Sequence, residues 1–185
     1  SAMDPSAAEL LQRALEPLAS PLPELAAKTA QTWVAALADR EALARAHARL
    51  FLGPFEILAP PYASLYLDPS RRLMGQFSRQ AETAYAEAGL ALGPGPREAP
   101  DHIAHELEFM YYLVFQEVAD GHGVWADRQR RFWMSHLGRW LPDFADDVRQ
   151  ADCHPFYNAL GWLLAAFAER ESAYSNVNVP QSASD

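Results

Sequence analysis

The sequence predicts an all-α protein: a single-domain helical bundle of seven or eight helices. Three observations carry that expectation. Apolar residues recur at three- and four-residue spacing in one segment after another, the period of a helix with one buried face. No stretch of useful length alternates apolar and polar residues as a half-buried strand would. Half of the 185 residues are hydrophobic, enough for one sizeable core, and the links between periodic segments are short with no repeat of fixed period.

The elements follow in order. Ser1-Ala2 ahead of Met3 reads as a vector-derived remnant, and residues 1–5 as a disordered start. Residues 6–18 place Leu10, Leu11, Ala14, Leu15 and Leu18 on one stripe, and Pro17, Pro21 and Pro23 then punctuate a turn. Residues 23–38 restart as a helix with Pro23 in its first turn, where the missing N–H costs nothing, and with Leu25, Thr29, Trp33, Ala36 and Leu37 on one side. Asp39 is the expected N-cap of the next helix, which turns Leu43, Ala46, Leu50 and Phe51 inward before Gly53-Pro54 ends it.

Residues 53–70 are different. Pro54, Pro60, Pro61 and Pro69 forbid a long helix, and Phe55, Tyr62 and Tyr66 are interleaved with them. An apolar loop of this kind is expected to pack on the body or to form the lip of a groove. Residues 71–89 then predict a helix with Leu73, Met74, Phe77, Ala81, Ala84 and Tyr85 inward and Gly89 near its end. Residues 93–100 link it to the most hydrophobic segment, 98–118. There Pro100 and Asp101 read as a helix start, and Ile103, Leu107, Met110, Val114 and Val118 recur at helical spacing. Phe109, Tyr111 and Phe115 widen the stripe, so this is expected to be a central helix buried on more than one side. Glu98, Asp101, His102, His105, Glu106 and Glu108 gather at its mouth.

Three further helices complete the pattern. Residues 125–140 cluster Trp125, Phe132, Trp133, His136, Leu137 and Trp140. A helix from Pro142 carries Phe144 and Val148, and a last one after His154-Pro155 carries Phe156, Leu160, Leu163, Leu164 and Phe167. The helical domain is expected over residues 6–171, and the Ser/Asn-rich residues 172–185 as a disordered tail.

Composition narrows the function. Fifteen Lys and Arg against 24 Asp and Glu give a formal charge of −9, which repels nucleic acid and anionic membrane and attracts cationic partners. Arg128, Arg130 and Arg131 read as a solvated helix face rather than a nucleic-acid patch. Cys153 is the only cysteine, so no internal disulfide can form and a cytoplasmic setting is expected. No segment approaches the ~20 apolar residues of a membrane span. The N-terminus, neither basic nor followed by an apolar run, predicts no export signal.

Glu98-Ala99-Pro100-Asp101-His102, followed four residues on by Glu106-Leu107 and Phe109-Met110, resembles the signature of the TorD/DmsD/NarJ family, cytoplasmic maturation chaperones for molybdenum-containing oxidoreductases. The Pro-rich segment leading to Ser64-Leu65-Tyr66-Leu67 resembles that family's Ser-x-Tyr/Trp-Leu motif. The resemblance covers roughly Leu43 to Phe167 and is most specific at 98–110. It implies an all-helical chaperone, not an enzyme, with no cofactor of its own. Its implied partners are the twin-arginine leader and the cofactor-free catalytic subunit of a molybdopterin oxidoreductase; a guanine nucleotide is implied by resemblance alone. The implied peptide site joins an acidic mouth, Glu98, Pro100, Asp101, His102 and Glu106, to an apolar groove of Ser64, Leu65, Tyr66, Leu67 and Met74. Carboxylates suit a leader's arginines because a planar guanidinium is matched two-pronged.

Each of these groups has a plainer reading. Asp101 alone could be a helix cap and His102 a satisfied surface histidine, but a cap does not account for the run from Glu98 to Glu106. His102 with Glu106, and Asp101 with His105, stand four apart and could share a metal, so a metal-dependent enzyme using His102, His105 and Glu106 is a rival. The run is not His-Glu-x-x-His, and no second helix supplies the rest of a ligand set. Cys153 beside His154 lacks an oxyanion-hole motif, and no phosphate loop is present. The other rival is an adaptor that docks a folded subunit of a redox complex.

Overall fold

The computed structural model describes residues 6–53, 56–91, 93 and 98–177. The start at 1–5, the stretch 178–185 of the expected tail, Pro54 and Phe55, Leu92, and residues 94–97 of the link lie outside the described residues. The all-α expectation holds: among the described residues there is no strand, only an isolated antiparallel bridge between Tyr62 and His102. Among the described residues eight helices of useful length are formed, α1 Ser6–Leu15, α2 Leu22–Ala36, α3 Arg40–His47, α5 Gln76–Glu87, α6 Ile103–Asp120, α7 Gly123–Ser135, α8 Leu141–Gln150 and α9 Pro155–Val177, with a short turn, α4 Ser64–Leu67. No described helix is long and apolar enough to cross a membrane.

These elements gather into two compact units. The first holds residues 6–60 with 141–169. Within it the start of α3 is fixed locally: Asp39 caps the helix by accepting the Ala42 N–H at 2.9 Å, as expected from the sequence. Leu22, Ala26 and Leu163 are buried together, with Leu11, Leu15, Leu18 and Phe167 packed on them. Phe51 meets Tyr157 edge-on at 5.5 Å and Phe144 at 6.2 Å. α8 and α9 approach so closely that a side chain on Gly161 would stand 3.0 Å from the Ala145 carbonyl. Each buried leucine here contributes about 1.5–3 kcal/mol by leaving water.

The second unit holds Pro61–Trp140 with residues 170–177. Tyr85, Phe109 and Phe132 meet edge-on or tilted at 4.8–6.2 Å, and Leu113 on α6 is fully buried. α7 stops at Ser135, before a 3₁₀ turn at Leu137–Arg139, so the expected single helix over 125–140 is shorter than its pattern. The turn lets Gly138 lie on the Trp133 indole, where an added Cβ would be 2.7 Å from the ring.

Three further expectations are corrected here. The helix expected from 71 begins at Gln76. Asp68 accepts the Ser70 N–H and O–H, and Arg71 and Met74 take positive φ of 48° and 57°, so 68–75 is a loop. Leu73 and Met74 are therefore exposed, not inward. α6 is not buried on both sides: Glu106, Phe109, Met110 and Leu113 face the core, while Tyr111, Val114, Phe115 and Val118 are exposed. α9 continues to Val177, so order extends past the expected boundary at Ser172. The Ser172 hydroxyl receives the Trp133 Nε1–H at 3.3 Å.

Candidate functional site

The Pro-rich segment is tied to the entrance of α6 by backbone pairing. Ala63 N–H donates to the Asp101 carbonyl at 3.0 Å and Ile103 N–H to the Pro61 carbonyl at 2.9 Å. This brings together two stretches that the sequence analysis had joined only by resemblance.

Asp101 is the knot of this junction. It is fully buried, and it does not cap α6. One carboxylate oxygen accepts the Ser64 N–H at 2.8 Å and the other the Ser78 O–H at 2.6 Å, so a single side chain holds α4 and α5 to the start of α6. The neighbouring Pro100 carbonyl accepts the Tyr85 hydroxyl at 2.7 Å. The cap belongs to His102, whose Nδ1 accepts the Ala104 N–H at 3.1 Å. The expectation that Asp101 lines an open mouth is corrected: both its oxygens are used inside the protein.

Glu106 is corrected in the same way. It is fully buried, with Oε2 accepting the Trp140 Nε1–H at 3.0 Å and Oε1 lying 2.8 Å from His136 Nε2. That second contact needs one proton between the two atoms; two bare acceptors would repel. Burial pushes the Glu106 carboxyl above its ordinary range, and His136 and Trp140 pull against it. Nothing in the local sequence marks this partnership, because Trp140 and His136 lie a full helix away along the chain.

Ser64 contributes its backbone and not its side chain. Its hydroxyl is buried with no partner among the described residues. Ser64→Ala is therefore expected to change the unfolding free energy by less than about 1 kcal/mol in either direction. A larger loss in urea unfolding would show that the hydroxyl is engaged.

The surface of the junction is smaller than the sequence motif. Glu98 is exposed and accepts the Tyr62 hydroxyl at 2.5 Å; burial, then Glu98 itself, push the Tyr62 phenol up to about 12. The Tyr62 ring stands edge-on to His102 at 5.2 Å, and His102 lies 6.0 Å from His105. Burial pushes the His102 imidazole below its ordinary value, so it is neutral at pH 7. His105 Nδ1 meets the Ala99 carbonyl at 3.1 Å and its ring opens on a cleft of about 370 Å³. Tyr85, Leu90, Glu108, Phe109 and Tyr112 line the same cleft. This is a concavity with one exposed carboxylate, one imidazole and an aromatic floor.

The expected apolar groove is not brought together as drawn. Leu65, Tyr66 and Leu67 are half-buried, with Tyr66 against the Trp140 ring at 5.4 Å. Met74 is 65% exposed and lines a different hollow, of about 500 Å³, with Asp68, Arg72 and Arg79. Residues that the sequence reading left out of the site include Ser78, His136, Glu108 and Tyr112; only Glu108 had a signal, as one of the charges at the helix mouth.

The rival chemistries find no support in these positions. The metal reading needs Glu106 beside His102 and His105, and both Glu106 oxygens are taken by His136 and Trp140. Among the described residues no three His, Cys, Asp or Glu gather as a ligand set. The Cys153 thiol donates to the Ala151 carbonyl at 3.3 Å, not to His154.

A sequence profile described as nitrate reductase delta subunit matches residues 6–146. The chain is 32% identical over 136 residues to the chaperone protein TorD of Vibrio parahaemolyticus serotype O3:K6, covering 71% of this chain and 63% of that one. It is 32% identical over 134 residues to the TorD of Photobacterium profundum, 68% of this chain and 60% of that one. It is 32% identical over 125 residues to the Tat proofreading chaperone DmsD of Salmonella typhi, 68% of this chain and 58% of that one. The chain thus spans about three fifths of the length of these curated relatives.

Proposed function

The chain belongs to the nitrate reductase delta subunit family that takes in the TorD and DmsD chaperones, and from that membership we propose that it is a cytoplasmic, client-specific chaperone. Its ligands are the twin-arginine leader and the cofactor-free catalytic subunit of a molybdopterin oxidoreductase. It makes and breaks no bond; it holds the leader and delays export until the cofactor is in place. The observation that carries this reading is the family match across the whole of the Ser64–Ser78–Asp101 junction.

The geometry supports a revised division of labour. The exposed Glu98 and Glu108 receive arginines, at a position where the neutral His102 adds no repulsion. The aromatic cleft of Tyr85, Phe109 and Tyr112 takes the start of the leader's apolar run. Asp101, Glu106, Ser64 and Pro100 act from inside, by fixing the backbone on which those groups stand. Tyr66, Leu65 and Leu67 border the junction, and Met74 stands apart beside Arg72 and Arg79.

Titration calorimetry with twin-arginine leaders from candidate molybdoenzymes tests this. Changing both leader arginines to alanine is expected to weaken binding on the order of tenfold or more, as is the pair Glu98→Gln and Glu108→Gln at low salt. Failure of every such leader to bind rejects the function. Binding that ignores the Glu98 and Glu108 changes rejects this placement of the site.

A further inference from the structure

A hollow of about 560 Å³ opens in the second unit between α5 and the turn that follows α7. Its volume is that of a small-molecule site. The floor is apolar, with Phe77 and Phe132 buried at its base. Gln76, Gln80 and Arg139 stand exposed on its rim. It shares no lining residue with the leader cleft at His105. His136 completes the wall. This residue is 2% exposed, with its ring stacked on Phe132 at 5.2 Å and tilted to Phe77 at 6.3 Å. Nε2 is turned to Glu106 at 2.8 Å. The two ring nitrogens sit on opposite edges, so Nδ1 is the polar atom left for the hollow, and among the described residues it has no hydrogen-bond partner. When Glu106 supplies the shared proton to Nε2, the state that burial of the carboxyl favours, Nδ1 carries the imidazole N–H. Buried polar groups are normally hydrogen-bonded, so this edge calls for an acceptor in the hollow.

The charge presented here is positive. No described carboxylate lines the hollow, and the α5 carboxylates Glu82 and Glu87 stand outside it. Among the described residues Arg139 has no ion-pair partner. Its guanidinium reaches the Ser135 carbonyl at a long 3.5 Å and lies 6.0 Å from the Phe77 ring centre. The neighbouring hollow shares Gln76 and adds Arg72 and Arg79 against Asp68 alone, whose carboxylate is engaged by Ser70. In a chain of formal charge −9 this is a local reversal of sign.

From this we propose that the hollow binds a small organic carboxylate with a flat apolar body. The carboxylate lies between the Arg139 guanidinium and the His136 Nδ1–H, and the body lies on Phe77 and Phe132. A nucleotide fits poorly, because its several phosphate charges would meet one guanidinium and no phosphate loop. A basic leader is repelled by the same arginine. The site uses nothing of the leader cleft and does not depend on the proposed chaperone function.

The test titrates cinnamate into the full chain carrying isotope-labelled histidines, followed by NMR and calorimetry. Cinnamate is expected to bind with a Kd on the order of 1 mM or tighter. Cinnamamide, which lacks the charge, and acetate, which lacks the flat body, should each bind on the order of tenfold more weakly. Arg139→Gln and, separately, Gln80→Glu should each lower cinnamate affinity about tenfold. Both positions are exposed, so thermal unfolding should not change. Cinnamate should shift the His136 ring nitrogens more than those of any other histidine. The proposal is overturned if cinnamate fails to bind, if cinnamamide or acetate matches it, or if either substitution leaves its affinity unchanged. It is also overturned if the His136 signals do not move, or if guanosine diphosphate displaces cinnamate from the hollow.

Discussion

Glu106→Ala is expected to cost about 3–5 kcal/mol of stability, enough to unfold much of the protein at working temperature. The reason is what the substitution leaves behind. The carboxylate is fully buried between Trp140 Nε1 at 3.0 Å and His136 Nε2 at 2.8 Å, and both partners are themselves buried. Alanine orphans an indole N–H and an imidazole in a site that water does not reach. Glu106→Gln keeps the shape and can still accept from Trp140, so it should cost less and carries a second readout. Burial holds the native Glu106 carboxyl above its ordinary range. Between the ordinary carboxylate value, about 4.3, and that raised one, the folded protein holds a proton that the unfolded chain has released. Stability from this group is therefore full below the ordinary value and is lost as pH rises through the window. Urea unfolding from about pH 5 to 8 should show the wild type losing stability relative to Glu106→Gln as pH rises. A difference between the two that stays flat with pH would show that the carboxyl is not perturbed.

How far the sequence could anticipate this follows from the reach of its signals. Asp39 was legible as a cap because its partner is three residues away. The all-helical class was legible because periodicity is local. Asp101 was not, because its partners Ser64 and Ser78 lie 37 and 23 positions back. A carboxylate just ahead of an apolar helix is more simply read as a cap, and here a histidine took that place. Glu106 read as a surface charge because glutamate is seldom buried unpaired, and the pairing histidine stands on another element. The outer face of α6 misled in the opposite sense. Tyr111, Phe115 and Val118 are as apolar as a core stripe, and periodicity shows that a face exists without showing whether anything covers it. The two stretches of the family motif do meet, at the hydrogen bonds between 61–64 and 101–103. The motif could not say which of its residues point outward, since Glu98 and His102 reach the surface while Asp101 and Pro100 do not.

Asp101→Ala is the second large effect, and it separates two roles that the motif leaves entangled. If Asp101 held a leader's arginine, its loss would lower affinity and leave folding untouched. The structure points the other way. Alanine there strands the Ser64 N–H and the Ser78 O–H, both buried, and each unmet group costs about 1–3 kcal/mol. Losses of about 2–5 kcal/mol are expected in urea unfolding, and the α4–α5–α6 junction should exchange its amide protons faster than the rest of α6. Ser78→Ala alone leaves one oxygen of Asp101 unmet and should cost less. Combined with Asp101→Ala it should add little, because the hydroxyl no longer has a partner to lose. Leader affinity measured below the unfolding transition, and corrected for the folded fraction, should stay within about threefold of wild type if Asp101 acts only through the backbone. A loss of affinity on the order of tenfold with unchanged stability would instead put the carboxylate in contact with the peptide. That outcome would require the junction to open when the leader binds, since both oxygens are occupied in the structure described here.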